Sequence, residues 1–458
     1  MAVTRAPAEP GHQNALDGLR AVAALAVLAF HVGGQTGITF QGTLGGRLGS
    51  RADVAVAIFF VLSGLLLYRP WARATLAGAT GGEGGAGGPS TWTYLWRRAL
   101  RILPLYWLLV AVALIAYSPG HLDSPVTWLR WLTLTQIYDL TPWWELPGPH
   151  GLAHVWSLST EVAFYLLLPL LAAALAAYAR LGEGRRDRRR RDQMRGDRMR
   201  GDRMRGAPAG DRDDDRDDVA RRGRRLLIGL AALSLISPAF NAWVTLTHQN
   251  FQLYLWLPRS LWWFTAGMAI AVLREWARLR PGRVRTFCQT LAASPGTAWL
   301  TAVGAYAVAC TDAGGPVIPS SLRIPIWENE ARLALYLVVA ACLVAPAAFQ
   351  PANETFVSWL FGNGAMRFLG RISYGIFLWQ FVVIYGYYDL FDLRPLTFDY
   401  FPVLIVTSLG TIVLAAASYY VVEKPLMRLR HAPRLSRPAP PVEPVPQTPI
   451  IQWHTNAP

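Results

Sequence analysis

Between Leu16 and His31 the chain reads LDGLRAVAALAVLAFH, an apolar run broken by three ionisable side chains, Asp17, Arg20 and His31. Arg20 and His31 stand eleven residues apart. On a helix that is about three turns, so they share a face about 16 Å apart along the axis. A neutral imidazole accepts a proton near neutral pH, which suits a general base acting on a hydroxyl. A guanidinium grips phosphate or carboxylate, and here it can instead pair with Asp17. Such groups are costly in contact with lipid, so both are expected to face a protein interior or a wet cavity. An interfacial or pore-facing histidine is the plainer reading of His31; Arg20 on the same face favours the chemical one.

Further positions carry chemistry. In WRRALRILPLYW, Arg98 and Arg101 lie three apart beside Arg97, and Pro104 follows as a possible kink. Two guanidiniums on one helix face can hold one polyanion, or they can simply anchor a basic helix end. In HVWSLSTEVAFY, Glu161 follows His154 by one heptad, with Trp156 between them. A carboxylate there needs a partner, and His154 shares its helix face; either of the two could pair with His31 or Arg20, and a structural hydrogen-bond or ion-pair cluster is the alternative. Ser63, Ser373, Tyr374 and Glu423 are polar groups in otherwise apolar helices, suited to substrate support or to close helix packing. No P-loop, nucleophile elbow, HExxH or paired CxxC occurs, so Walker-type phosphate binding, elbow esterase chemistry and a standard zinc site are unsupported, and no metal is expected.

The elements that must position these groups are membrane helices. Of 458 residues 53% are hydrophobic, and apolar runs of about 20 residues, the length that crosses a bilayer, recur along the chain. The expected fold is an all-α polytopic bundle of about ten transmembrane helices, near 15–33, 53–70, 101–117, 154–178, 226–246, 256–273, 297–311, 331–349, 368–389 and 401–422. The 19 Trp suit interfacial anchoring, and the 118–153 loop, with Trp128, Trp131, Trp143 and Trp144, is expected on the membrane surface. The net charge of +15 lies mainly in arginines between apolar runs, which argues for cytoplasmic loops and against nucleic-acid binding. Cys288, Cys310 and Cys342 show no pairing pattern, and no cleavable signal peptide is evident.

The chain then divides into a cytoplasmic tail (1–14), spans 1–4 with the main motifs (15–178), a structureless Arg/Asp-rich loop (179–225), spans 5–10 (226–423) and a Pro-rich tail (424–458). Placing the basic loops 69–101, 179–225 and 274–285 and the tail inside gives a multi-pass protein of the bacterial plasma membrane with both termini cytoplasmic. His31 then lies toward the outer half, and Arg20, Arg98 and Arg101 toward the inner half.

Taken together the motifs resemble the acyltransferase 3 family of integral-membrane O-acyltransferases. LDGLRAVAALAVLAFH is similar to its first-span signature, with Arg20 and His31 at the Arg-x10-His positions. IFFVLSG, RRALRILPLYW, HVWSLSTEVAFY, GRISYGIFLWQ and SYYVVEKPLMRL resemble its later motifs in order, with Arg98 and Arg101 as the Arg-x-x-Arg pair and Glu161 as the family glutamate. Three positions depart from the family pattern: Val162 replaces a second acidic residue, Ala57 and Ile58 replace an Asp before FF, and Gln380 replaces a common His. A C-terminal hydrolase-like domain carried by some members is not expected in the short tail.

The resemblance implies acyl transfer from acyl-CoA, a co-substrate and not a resident cofactor, to a hydroxyl of a carbohydrate or glycosylated acceptor. His31 would act as general base, or as the site of a covalent acyl-His intermediate. Glu161 would orient His31 or its neighbours, and Arg20, Arg98 and Arg101 would hold the CoA phosphates. Asp17, Ser63, His154, Trp156, Ser373, Tyr374 and Glu423 would support substrate or structure. Two rivals remain: a glycan or lipid carrier without acyl transfer, against which no repeat between the halves is seen, and a scaffold recruiting partners through the Arg/Asp loop.

Overall fold

The computed structural model describes residues 10–78, 89–145, 147–183, 210–247, 250–315, 325–350, 355–396 and 399–431. Every regular element among them is helical, as the long apolar runs require. In chain order the helices are α1 (Pro10–Thr36), α2 (Leu44–Ser50), α3 (Val54–Leu76), α4 (Thr91–Tyr117), α5 (Pro125–Leu132), α6 (Trp156–Ala179), α7 (Gly210–Ser234) and α8 (Ile236–Thr247). They continue as α9 (Leu257–Leu279), α10 (Arg283–Ala293), α11 (Pro295–Ala309), α12 (Ile326–Phe349), α13 (Phe356–Phe361), α14 (Gly364–Leu390) and α15 (Tyr400–Ser418). A π-helical turn, Tyr419–Glu423, extends α15.

Among the described residues eight helical segments are long and apolar enough to cross a membrane: Asn14–Thr36, Leu44–Leu76, Thr91–Tyr117, Trp156–Ala179, Asp217–Thr247, Ile326–Phe349, Gly364–Leu390 and Tyr400–Leu429. The expected sixth and seventh spans are helical but stand outside this set. α9 carries Arg259, Arg274, Glu275 and Arg278, and keeps Arg274 and Glu275 buried against its neighbours. α11 has 15 residues, about 22 Å of helix against a hydrocarbon layer of about 30 Å. The fifth span is broken between α7 and α8, just before Pro238, which lacks the N–H that would bond back across the break.

One expectation, that of a structureless 179–225 segment, is corrected, and two others gain detail. α1 begins at Pro10, inside the expected polar tail; proline is well suited to a first helical turn. Residues 210–225 of the Arg/Asp segment are helical, with 184–209 and 432–458 outside the described residues. That helix is held by tertiary contacts: Arg222 pairs with Glu183 at 2.8 Å and donates to the Leu76 carbonyl, Arg225 donates to the Ala179 carbonyl, and Arg221 pairs with Asp218 one turn back. In the 118–153 loop, Trp131 and Trp144 are buried and in contact with each other. The Tyr106 hydroxyl donates to the Trp131 carbonyl, and the Trp107 indole donates to that of Leu132, tying the loop to α4.

α3 lies along α9, α1 along α14, and α14 along α15. Glycines set the closest approaches. A β-carbon on Gly64 would stand 2.1 Å from the Phe264 carbonyl oxygen, and one on Gly267 2.0 Å from that of Val61, so α3 and α9 touch backbone to backbone. Gly370 of α14 meets the Asp17 backbone in the same way, which fixes the register of α1 against α14. A large apolar core runs through α3, α4, α6, α9 and α12; a smaller one joins Leu28 and Val32 of α1 to Ile376 and Phe381 of α14. Phe59 packs against both.

Candidate active site

The first of these cores surrounds a cavity of about 690 Å³, a size common for cofactor and substrate sites. α1 contributes Leu16, Asp17, Arg20 and Val27, which fall on one helical stripe. The N-terminal turns of α4 contribute Arg97, Arg98 and Arg101, α3 contributes Ser63, α6 Glu161 and Tyr165, and α14 Ser373 and Tyr374. Val27, Phe59, Phe60, Leu158 and Phe377 make other parts of the wall apolar.

Arg20 pairs with Asp17 at 2.9 Å, and Arg101 and Arg98 lie within electrostatic reach of it. Arg97, Arg98 and Arg101 have no carboxylate partner in any ion pair among the described residues, and the Arg98 guanidinium lies 6.0 Å from the Tyr165 ring centroid. One side of the cavity thus carries an excess of fixed positive charge. Glu161 answers only part of it: its Oε1 accepts hydrogen bonds from the Ser63 hydroxyl and, at 2.6 Å, from Tyr165 four residues on. The Tyr374 hydroxyl donates to the Ile102 carbonyl at 2.8 Å and that of Ser373 to Gly370, so both line the cavity while bonded to backbone.

His31 does not line this cavity. It continues the stripe one turn beyond Val27, about 6 Å further along α1, and it keeps part of its surface accessible. Its Nδ1 is 3.1 Å from Gln380 Oε1. Its ring packs on Phe381, with centroids 4.6 Å apart, and meets the edge of His154 at 6.0 Å. His154 is buried, and it also touches Phe377, which lines the cavity.

Two expected groupings separate here. Glu161 hydrogen-bonds to Ser63 and Tyr165, not to His31 or His154. α6 begins only at Trp156, so His154 is not on the same helix, and the seven-residue spacing carries Glu161 about 10 Å down the axis. His154, not Glu161, is the ionisable side chain beside His31. Trp156 and Glu423 stand outside the cavity wall. Glu423 is buried in the π-helical turn within electrostatic reach of Arg101, with one carboxylate oxygen unpartnered among the described residues. Tyr165 and Phe377 were missed by sequence reasoning; Tyr165 had a signal, its i,i+4 spacing from Glu161.

A family model described as an acyltransferase domain, that of acyltransferase 3, matches residues 13–420. The chain belongs to this acyltransferase family. The first-span pair Arg20 and His31 and all but the end of the last membrane-crossing segment fall within the matched stretch. The peptidoglycan O-acetyltransferase OatA of Listeria monocytogenes serovar 1/2a is similar to this chain, 22% identical over 393 residues, 81% of this chain and 49% of the relative. YrhL of Bacillus subtilis (strain 168), whose name provisionally gives it the same activity, is 24% identical over 428 residues, 90% of this chain and 54% of the relative. The acyltransferase MdmB of Streptomyces mycarofaciens is 34% identical over 164 residues, 34% of this chain and 38% of the relative. The chain thus spans about half the length of OatA and YrhL. No solved structure matches it.

Proposed function

We propose that this protein is a membrane O-acyltransferase that moves an acyl group from acyl-CoA to a hydroxyl of a cell-envelope carbohydrate, with His31 as the general base. The observation that carries this reading is the run of arginines on a cavity that ends one turn short of an accessible histidine. Acyl-CoA is a polyanion at one end and a thioester at the other. Its phosphates suit Arg97, Arg98 and Arg101, where guanidinium forks form charge-assisted bonds and no carboxylate among the described residues is ion-paired to them. The rise from Arg20 to His31, about 16 Å, is comparable to an extended pantetheine arm, whose thioester would then lie toward His31.

The placement of basic loops argues for a plasma-membrane orientation with both termini and the arginine mouth cytoplasmic, where acyl-CoA is available. The acceptor then reaches His31 from the outer side. OatA is named for peptidoglycan, and a peptidoglycan-type sugar hydroxyl is the acceptor we favour. His31 takes the hydroxyl proton as the oxygen bonds to the thioester carbonyl carbon. The C–S bond breaks, and the proton passes to the departing thiolate, giving ester and free CoA. Glu161 contributes by fixing Ser63 and Tyr165 on the donor cavity wall, not by orienting His31. Membership in an acyltransferase family weighs against the carrier reading.

The test uses purified full-length protein in lipid nanodiscs with radiolabelled acetyl-CoA and a soluble peptidoglycan fragment. Transfer of label with release of CoA is expected from the wild type and is lost in His31→Ala, with the variant still recovered from the membrane as a monodisperse protein. Full transfer by His31→Ala would remove the base. Movement of glycan or lipid across the bilayer without acyl transfer would favour the carrier.

A further inference from the structure

We propose that Gln380 is a positioning residue for His31: it holds the imidazole in the tautomer that carries its proton on Nδ1 and leaves Nε2 as the reacting base. This rests on the reading of His31 as the base.

The argument is one of donors and acceptors. The Gln380 side-chain amide is pinned at both ends. Its Nε2 donates to the Phe377 carbonyl at 2.8 Å, one turn back on α14. A carbonyl oxygen can only accept, so the NH₂ end must face Phe377 and the oxygen end must face His31. That oxygen, Oε1, is 3.1 Å from His31 Nδ1 and can likewise only accept. Nδ1 therefore carries the N–H, and in a neutral imidazole the lone pair is on Nε2. Gln380 is fully buried, so no water competes for its amide.

Nε2 has no hydrogen-bond partner among the described residues, and the His31 side chain is only partly buried. It is the nitrogen left free to meet a hydroxyl. The residue that aims it stands 349 positions away in sequence.

The choice of an amide has a chemical consequence. A carboxylate at this position would fix the same tautomer but would also stabilise the imidazolium that forms on proton transfer. Gln380 fixes the tautomer and adds no charge. The other groups facing the ring add none either. His154 approaches from the segment before α6, Phe381 from α14 and Phe30 from α1 itself, and no charged side chain of α3, α14 or α15 acts on His31. An imidazolium without a counter-charge returns its proton readily, which suits delivery to the leaving thiolate.

The test compares full-length wild type, Gln380→Leu, Gln380→Glu and His31→Ala in nanodiscs, measuring acetyl transfer from acetyl-CoA to the soluble peptidoglycan fragment from about pH 5 to about pH 9. Gln380→Leu lowers kcat about 10- to 100-fold, as loss of an orienting partner does, with the acetyl-CoA KM within about twofold. Gln380→Glu restores the acceptor for Nδ1–H and keeps more activity than the leucine variant. Its added negative charge favours the imidazolium, so the acid limb of its pH profile moves up by at least about one unit. A residue with only a packing role would not move that limb. An unmoved limb in Gln380→Glu, or undiminished kcat in Gln380→Leu, overturns the inference. If His31→Ala is dead while both Gln380 variants behave as wild type, only the role of Gln380 falls; if His31→Ala is active, the base reading falls with it.

Discussion

Arg98 offers the sharpest test of the donor side. It lies on α4 where the helix enters the cavity, it has no carboxylate partner among the described residues, and its Nε is buried without a hydrogen bond. Replacing it with alanine removes a cation that is held in place and unspent. A hydrogen bond to a charged group contributes about 1.5–3 kcal/mol, so losing the contact to a CoA phosphate should weaken donor binding about 10- to 150-fold. Arg101 stands one turn away and retains part of the field, which favours the lower half of that range. Arg98→Lys keeps the charge and loses the planar fork, so it should fall between wild type and alanine. The assay is initial-rate acetyl transfer at varied acetyl-CoA, repeated with 3′-dephospho-acetyl-CoA, at two salt concentrations. If Arg98 holds the 3′-phosphate, deleting both partners costs no more than deleting one, because the two changes remove a single interaction. If it holds the pyrophosphate, the two losses add, but the donor KM still rises. A donor KM unchanged by Arg98→Ala, with the acceptor KM raised in its place, would refute the phosphate role.

Two further outcomes follow from packing and exposure. Gly267→Ala drives a methyl group into the Val61 carbonyl, 2.0 Å from the added carbon, and should cut the yield of folded protein in the membrane sharply, whereas Gly296→Ala, with nothing within 4 Å, should leave it unchanged; detergent-extracted monodisperse protein measures both. Cys288 is buried on α10, and burial pushes its thiol up to about 11, so its thiolate, the reactive form, is scarce at neutral pH. Maleimide labelling of Cys288 should therefore be slow in the native protein at pH 7, rise as the pH approaches 11, and run to completion after denaturation, as mass spectrometry of the labelled peptide would show.

The parts of the site that were legible in sequence lie within single helices. Arg20 and His31 occupy one uninterrupted apolar run, so their stripe on α1 follows from helical geometry alone, and Arg98 and Arg101 sit together for the same reason. What crossed between elements was legible only in part: His154 beside His31 was one of the pairings left open. Nothing in the spacing of GRISYGIFLWQ says that its glutamine meets His31, and the heptad from His154 to Glu161 misled because the helix starts between them. Composition misled where tertiary contact overrides it. The Arg/Asp run is helical over 210–225 because Glu183 and the ends of α3 and α6 receive its arginines. Tyr106 of α4 donates to the carbonyl of the buried Trp131, a contact that no local pattern announces.

The close seating of α9 against α3 bears on how the protein is made. α9 buries Arg274 and Glu275 against its neighbours in its last two turns, and charged side chains weigh against release of a helix into lipid. On its own this segment is a poor candidate to leave the translocation channel for lipid. Arg69, synthesised 206 residues earlier on α3, meets Glu275 at 2.6 Å, and the Gly64 and Gly267 contact lets the two backbones close around that pair. The first helices thus present the surface, with its own arginine, on which the later and more polar α9 is seated.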